Sequence, residues 1–222
     1  MYSHFKGRFI QVIESLDMYD ACSNHVVHID EYVRKKIGIQ AEIYVKHVHP
    51  DRKHLVKYID HLDSSDEDIV FFHFSAFSEY CAEKVITASG LKVLHYHNIT
   101  PHYFFEKNTF LYNLCKKGRN QLKDIVNHFS FITGDSNYNL EEIITLGFEK
   151  SKTQKLPIII NEISNIGTGN IANIANIDSD NIIFVGRICE NKCQHKLIEF
   201  YNDYIKNNEI GRLYLVGKYD TS

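Results

Sequence analysis

Apolar residues along this chain fall into short, nearly unbroken runs, separated by stretches in which they recur every three or four positions. Phe9 to Leu16 is the first run and predicts a strand, with Phe9, Ile10, Val12 and Ile13 as its apolar matter. From about Ala21 the spacing becomes that of a helix through Val26, Ile29, Val33 and Ile37, stopping near Gly38. Ile39 to Val48 predicts a second strand with a turn at Pro50, and Leu55 to Leu62 fits a short helix or an irregular crossover. After the acidic stretch Asp63 to Asp68, the runs Ile69 to Phe74 and Leu91 to Tyr96 predict two more strands. The first is apolar enough to be buried on both faces of a parallel sheet, and a loop and helix lie between the two.

The alternation continues. Leu122, Ile125, Val126 and Phe129 form a helical stripe after Gly118, and Phe131 to Thr133 predicts a short strand. Asp135 and Ser136 are candidate caps of a helix that carries Leu140, Ile143 and Ile144 inward and ends near Gly147. Lys155 to Ile160, around Pro157, is a further strand candidate. Residues 161–180, rich in Asn, Ile and Gly, read as an interdomain linker. A last unit follows: the run Ile182 to Val185 ends at Gly186-Arg187, a helical stripe runs through Leu197, Ile198, Tyr201, Tyr204 and Ile205, and Leu213 to Val216 closes at Gly217. The expected fold class is therefore α/β, with a Rossmann-like domain over 1–160 built on a mostly parallel sheet, a linker over 161–180, and the start of a second domain over 181–222.

Composition narrows the functional classes. The 222 residues carry 25 basic and 28 acidic side chains, a net charge of -3, so no basic field advertises a nucleic-acid partner. Five scattered cysteines, Cys22, Cys81, Cys115, Cys189 and Cys193, make neither a disulfide scaffold nor a four-ligand zinc site, which favours a reducing compartment. No run reaches the length of a membrane span or of a signal segment. The expected location is the cytoplasm, with peripheral contact at the inner face of the membrane left open. The dinucleotide fingerprint, the phosphate-binding P-loop and the nucleophile elbow are all absent from the sequence. Neither a cofactor nor a metal is expected, because the histidines have no carboxylate at ligand spacing.

Two groups of polar residues sit where open α/β sheets bind ligands, at the carboxyl ends of strands. The first is Arg187 with Lys192, flanking the turn after Ile182 to Val185. An arginine fork and a compact ammonium suit a diphosphate whose charge grows as it departs. The second is His73 with the cluster His95-Tyr96-His97-Asn98, which right-handed crossovers would bring to one edge of the sheet. His95 is expected on the opposite strand face from His97. Asn98 and Thr100 also suit the turn before Pro101.

These segments carry a resemblance. Val185-Gly186-Arg187, followed by Asn191-Lys192-Cys193, a helix, and a strand ending at Gly217, resembles the opening of the nucleotide-sugar domain of retaining GT-B glycosyltransferases, with Cys193 where glycine is usual. Lys92 to Pro101, continuing to Phe104-Phe105, resembles a motif of a bacterial, glycosyltransferase family 4-like subgroup. So do Phe72-His73-Phe74-Ser75, the segment Gly118 to Leu122, and Asp135 to Leu140 with Gly147-Phe148. The resemblance spans nearly the whole chain. It implies transfer of a sugar from a nucleotide-diphosphate sugar to a hydroxyl of a glycan or lipid-linked acceptor, in glycan or polysaccharide synthesis. It implies His97 as the catalytic histidine, His73, Asn98 and Ser136 as substrate-binding residues, and Arg187 and Lys192 as ligands of the donor diphosphate.

In that family the second domain continues through further strand-helix units and a Glu-x7-Glu segment, whereas this sequence ends after the strand Leu213 to Val216. The resemblance therefore implies a truncated or split enzyme, with a second chain completing the C-terminal domain. The alternative is an inactive or accessory protein, derived from a glycosyltransferase, that binds glycan or a partner.

Overall fold

The computed structural model describes residues 5–159, 181–207 and 211–217. The chain divides into two compact units, Met1–His102 with Phe110–Asn161, and Tyr103–Thr109 with Glu162–Ser222. The segment expected to be a linker, 161–180, lies outside the described residues.

The first unit is built on seven parallel strands. These are β1 (Phe9–Leu16), β2 (Ala41–Val48), β3 (Lys57–Tyr58), β4 (Ile69–Phe74), β5 (Leu91–Tyr96), β6 (Phe131–Gly134) and β7 (Thr153–Lys155), in the spatial order β3-β2-β1-β4-β5-β6-β7. The order runs outward in both directions from β1 and β4, so the carboxyl ends of these two neighbours form the switch point where such sheets open a ligand crevice. Among the described residues four α-helices complete the unit: α1 (Ala21–Tyr32), α2 (Glu79–Thr87), α3 (Phe110–Ile125) and α4 (Asn137–Thr145).

Strand parity explains the packing. Ile10, Val12, Phe72, Phe74, Leu94, Tyr96 and Ile132 join residues of α2, α3 and α4 in the largest apolar cluster. Alternate residues face the other way: Ile13, Ile43 and Val45 pack with Val26 of α1, and Phe71 and Val93 with Ile29 of α1. On that second face, level with the apolar residues, the strands place Gln11, His73, His95 and Thr133. Register puts His73 opposite His95 and His95 opposite Thr133.

Several expected boundaries shift for physical reasons. The helical stripe placed after Gly118 belongs to a helix that already starts at Phe110. Gly118 lies inside it because a Cβ there would come within 2.8 Å of the Phe77 backbone nitrogen and 2.9 Å of Ile99 Cδ1. The strand expected around Pro157 is β7, earlier and shorter; it ends at Lys155 because proline has no N–H to give to a ladder. The first helix gives way after Tyr32 to a π-helical turn, Val33–Ile37, and Gly38 ends it at φ 78°.

The second unit contains β8 (Ile182–Val185), α5 (Gln194–Asn207) and β9 (Leu213–Val216), with β8 and β9 parallel. It is the expected strand-helix-strand unit, the beginning of a second Rossmann-like domain. Ile183, Val185 and Phe200 are exposed on it. Among the described residues no helix is long and apolar enough to cross a membrane.

Candidate functional site

In the first unit, the polar residues at the strand ends form one connected cluster. Asp135, just past β6, accepts from His95 Nε2 at Oδ1, 3.0 Å away, and from His97 Nδ1 at Oδ2, 3.1 Å away. His97 Nε2 lies 3.0 Å from His73 Nδ1, and His73 Nε2 lies 3.0 Å from Gln11 Oε1. Gln11 Nε2 donates to the Val26 carbonyl at 3.1 Å, so the amide oxygen must be the atom that faces His73. His95 Nδ1 is 2.7 Å from Thr133 Oγ1.

His25, from α1, stacks on His95 with ring centroids 5.0 Å apart. Its Nδ1 accepts from the Ile159 N–H at 3.2 Å, while its buried Nε2 has no hydrogen-bond partner among the described residues.

The electrostatics follow from burial. Burial pushes His25 down to about 4, helped by the neighbouring His95 and His97, and pushes His95 down to about 4 against the hydrogen bond it makes to Asp135. His73 lies well below the usual imidazole range because it is fully desolvated beside other imidazoles. Desolvation pulls the Asp135 carboxyl upward, yet the hydrogen bonds from His95 and His97 outweigh it and hold the group well below the usual carboxylate range. Asp135 is therefore the anion at the centre, and it alone of the central four keeps appreciable exposure: 18% against 0% for the His95 and His97 side chains.

The structure brings His73 and His97 together, and with them His95. The expectation that His95 faces away from His97 is overturned: both rings reach Asp135 with centroids 4.3 Å apart, because side chains two residues apart share a strand face. Asn98 takes a left-handed backbone, φ 70°, at the turn that follows. Ser136 is the N-cap of α4, where its hydroxyl accepts from Asn139 N–H at 3.3 Å. Sequence spacing missed Asp135, His25 and Gln11. The carboxylate lies 38 residues from His97, and only the β5–β6 pairing delivers it.

In the second unit, Arg187 follows Gly186 at the end of β8, and Lys192 closes a 3-10 turn, Glu190–Lys192, before α5. Both side chains are exposed. The buried Gln194 amide donates to the Arg187 carbonyl at 2.7 Å and fixes the turn. Cys193 sits at φ 55°, ψ 36°, the left-handed geometry that glycine adopts without strain.

No protein-family model matches the chain, and no curated protein matches it. Among solved structures it is similar to Anabaena Alr3699/HepE in complex with UDP and glucose, at 12% identity and TM-score 0.60 over 95% of this chain and 69% of that one. The same Anabaena protein in complex with UDP-glucose matches at 12% identity and TM-score 0.57, over 96% and 69% of the two chains. An α-glucosyltransferase in complex with UDP and a 13-mer DNA containing a central A:G mismatch matches at 12% identity and TM-score 0.55, over 98% and 57%. The chain thus has a GT-B-like fold, in line with the seven-stranded Rossmann-like sheet and the β8-α5-β9 unit. At these identities the likeness is one of fold.

Proposed function

We propose that this chain belongs to a glycosyltransferase of the retaining, family 4-like kind, which transfers a sugar from a nucleotide-diphosphate sugar to an acceptor hydroxyl in glycan or polysaccharide synthesis. The observation that carries the reading is the turn from Gly186 to Lys192, which presents two exposed cations between the end of β8 and the start of α5. That position suits a diphosphate. Arg187 would engage two oxygens and Lys192 one, stabilising the charge that develops as the donor bond breaks. Structures of similar fold determined with UDP and UDP-glucose support the same donor class.

His97 is assigned here to positioning. Its ring is out of solvent, with Nδ1 on Asp135 and Nε2 against His73, so it sets Asp135 and the turn Asn98 to Pro101 at the mouth of the first sheet. Asn98 and Ser136 flank that mouth on the acceptor side, with His73 behind them. The exposed Ile183, Val185 and Phe200 support a covering partner for the second unit, either more of the same domain or a second chain.

Calorimetric titration with UDP, GDP and their sugar conjugates, paired with a product assay, tests the reading. Saturable binding is expected, weakened about tenfold or more in Arg187→Ala. Turnover alongside binding supports the transferase, and binding without turnover points to an accessory protein. A folded chain that binds no nucleotide rejects the donor site.

A further inference from the structure

The buried cluster has the architecture of a metal site, independent of donor binding. In His73, the Nε2–H is spent on Gln11 Oε1, which leaves the Nδ1 lone pair pointing at His97. In His97, the Nδ1–H is spent on Asp135 Oδ2, which leaves the Nε2 lone pair pointing back. Two nitrogen lone pairs 3.0 Å apart repel unless something positive lies between them.

The third ring can join them. Without an ion, His95 Nε2–H faces Asp135 Oδ1; with one, the ring proton sits on Nδ1, where Thr133 Oγ1 accepts it at 2.7 Å while its own hydroxyl turns to the Leu94 carbonyl, and Nε2 is released as a ligand. One nitrogen from each of His73, His95 and His97 falls within 4.8 Å of the others. Each outer nitrogen is tied to an oxygen, the arrangement that orients metal-ligating imidazoles.

We propose that His73, His95 and His97 form a site for one divalent cation of the zinc class, with Asp135 outside the ligand set as the carboxylate that orients His97. Three neutral imidazoles suit borderline ions such as Zn²⁺, Co²⁺ or Ni²⁺ and not Mg²⁺ or Ca²⁺, which prefer oxygen. A tetrahedral Zn²⁺ with ordinary bond lengths sets its nitrogens about 3.3 Å apart, so the pair at 3.0 Å needs to open by only a few tenths of an ångström. The nearby Asp135 carboxylate offsets part of the ion's charge, and its partial exposure supplies the way in. Such an ion would staple the carboxyl ends of β4 and β5.

His25 belongs outside the ligand set. A second triad, His25 with His95 and Asp135, also brings ligand atoms within 4.8 Å. There, however, His25 Nδ1 accepts from Ile159 N–H, which puts the ring proton on Nε2, the nitrogen that would have to bind.

The experiment uses the whole chain, stripped with chelator and titrated with Zn²⁺ or Co²⁺ in the absence of nucleotide, so its failure leaves the donor reading untouched. About one equivalent of Zn²⁺ should stay with the protein through gel filtration, by elemental analysis. Co²⁺ should give the intense visible bands of a four-coordinate site. The thermal midpoint should rise by about 5–10 °C at a hundredfold excess over Kd. His73→Gln and His97→Gln should each weaken binding by at least about tenfold, while His25→Gln keeps it.

No saturable binding by the parent protein overturns the proposal and leaves a shared proton as the only cation. Loss of binding in His25→Gln with binding kept in His73→Gln overturns it as well, in favour of the second triad. If the His73 and His97 variants do not fold, imidazole ¹⁵N resonances of the parent protein decide. Zn²⁺ must move those of three clustered histidines, and unmoved resonances reject the site.

Discussion

Arg8 and Asp68, 60 residues apart, are joined three times: the Arg8 backbone N–H donates to Asp68 Oδ1 at 2.6 Å, and the guanidinium donates from Nε to Oδ1 at 3.4 Å and from Nη2 to Oδ2 at 2.8 Å. The Ser65 N–H donates to the same carboxylate at 2.8 Å, so one buried side chain ties the start of β1 to the turn before β4. Burial pulls its pKa up, but the bonds from Arg8 and Ser65 outweigh that and hold it at about 2. A folded-state pKa depressed in this way contributes stability that is complete above the unfolded value near ~3.9 and is lost as pH falls through about 2. The contribution is roughly 2 kcal/mol. Urea unfolding of the parent and Asp68→Asn should differ by about that much at pH 6 and converge toward pH 2. Parallel curves would refute the linkage.

Gly118 shows a helix bending its own preferences. Alanine would favour the α3 interior by about 1 kcal/mol. Its Cβ, however, would meet the Phe77 backbone nitrogen at 2.8 Å, and backbone does not yield cheaply. Gly118→Ala should lose about 1–3 kcal/mol in thermal or denaturant unfolding. A raised melting temperature would mean that the loop before α2 moves aside.

Cys193 makes the opposite case. It holds a left-handed backbone that costs a side-chain-bearing residue about 1 kcal/mol, and glycine would remove that cost. The amides of Lys196 and Leu197, which donate to the Cys193 carbonyl at 3.0 and 3.3 Å, report the site directly. In Cys193→Gly their hydrogen exchange should slow by up to about fivefold. Faster exchange would show that the cysteine side chain holds the turn.

Tyr96 governs the turn after β5. Its buried hydroxyl donates to Glu142 Oε2 at 2.7 Å and accepts from Ile99 N–H at 3.1 Å, while Arg119 Nη1 donates to the Ile99 carbonyl at 2.7 Å. Tyr96→Phe strands a buried amide and one carboxylate oxygen, a loss of about 1–3 kcal/mol. Proteolysis should then quicken at the turn Asn98 to Pro101. An unchanged digestion pattern would indicate that Arg119 suffices.

Much of this architecture was legible in the runs of apolar residues. The sequence predicted β1, β4 and β5 with the bounds observed, because buried parallel strands leave little choice of residue. The start of α3 falls ahead of the predicted stripe: Leu111, Leu114 and Cys115 precede Gly118 at helical spacing, but the first residue, Phe110, is exposed and the turns that follow are only partly buried. For the candidate site, His73 and His97 were visible as polar residues at strand ends. Of the two candidate caps, Asp135 and Ser136, the structure uses Ser136, which frees the aspartate to face the imidazoles. His25 and Gln11 stayed hidden because a polar residue on a helix or a first strand looks the same whether it meets solvent or a neighbour across the sheet.

The links of the imidazole cluster span 62 residues from Gln11 to His73, 24 from His73 to His97, and 38 from His97 to Asp135. None is a local contact. Each closes only when one pair of neighbouring strands has met, β1 with β4, β4 with β5 or β5 with β6, and such long loops are the slow part of assembling a parallel sheet. The complete chain of bonds through the histidine rings therefore exists only in a sheet whose four central strands are all in register, which makes it a record of correct pairing across the first unit.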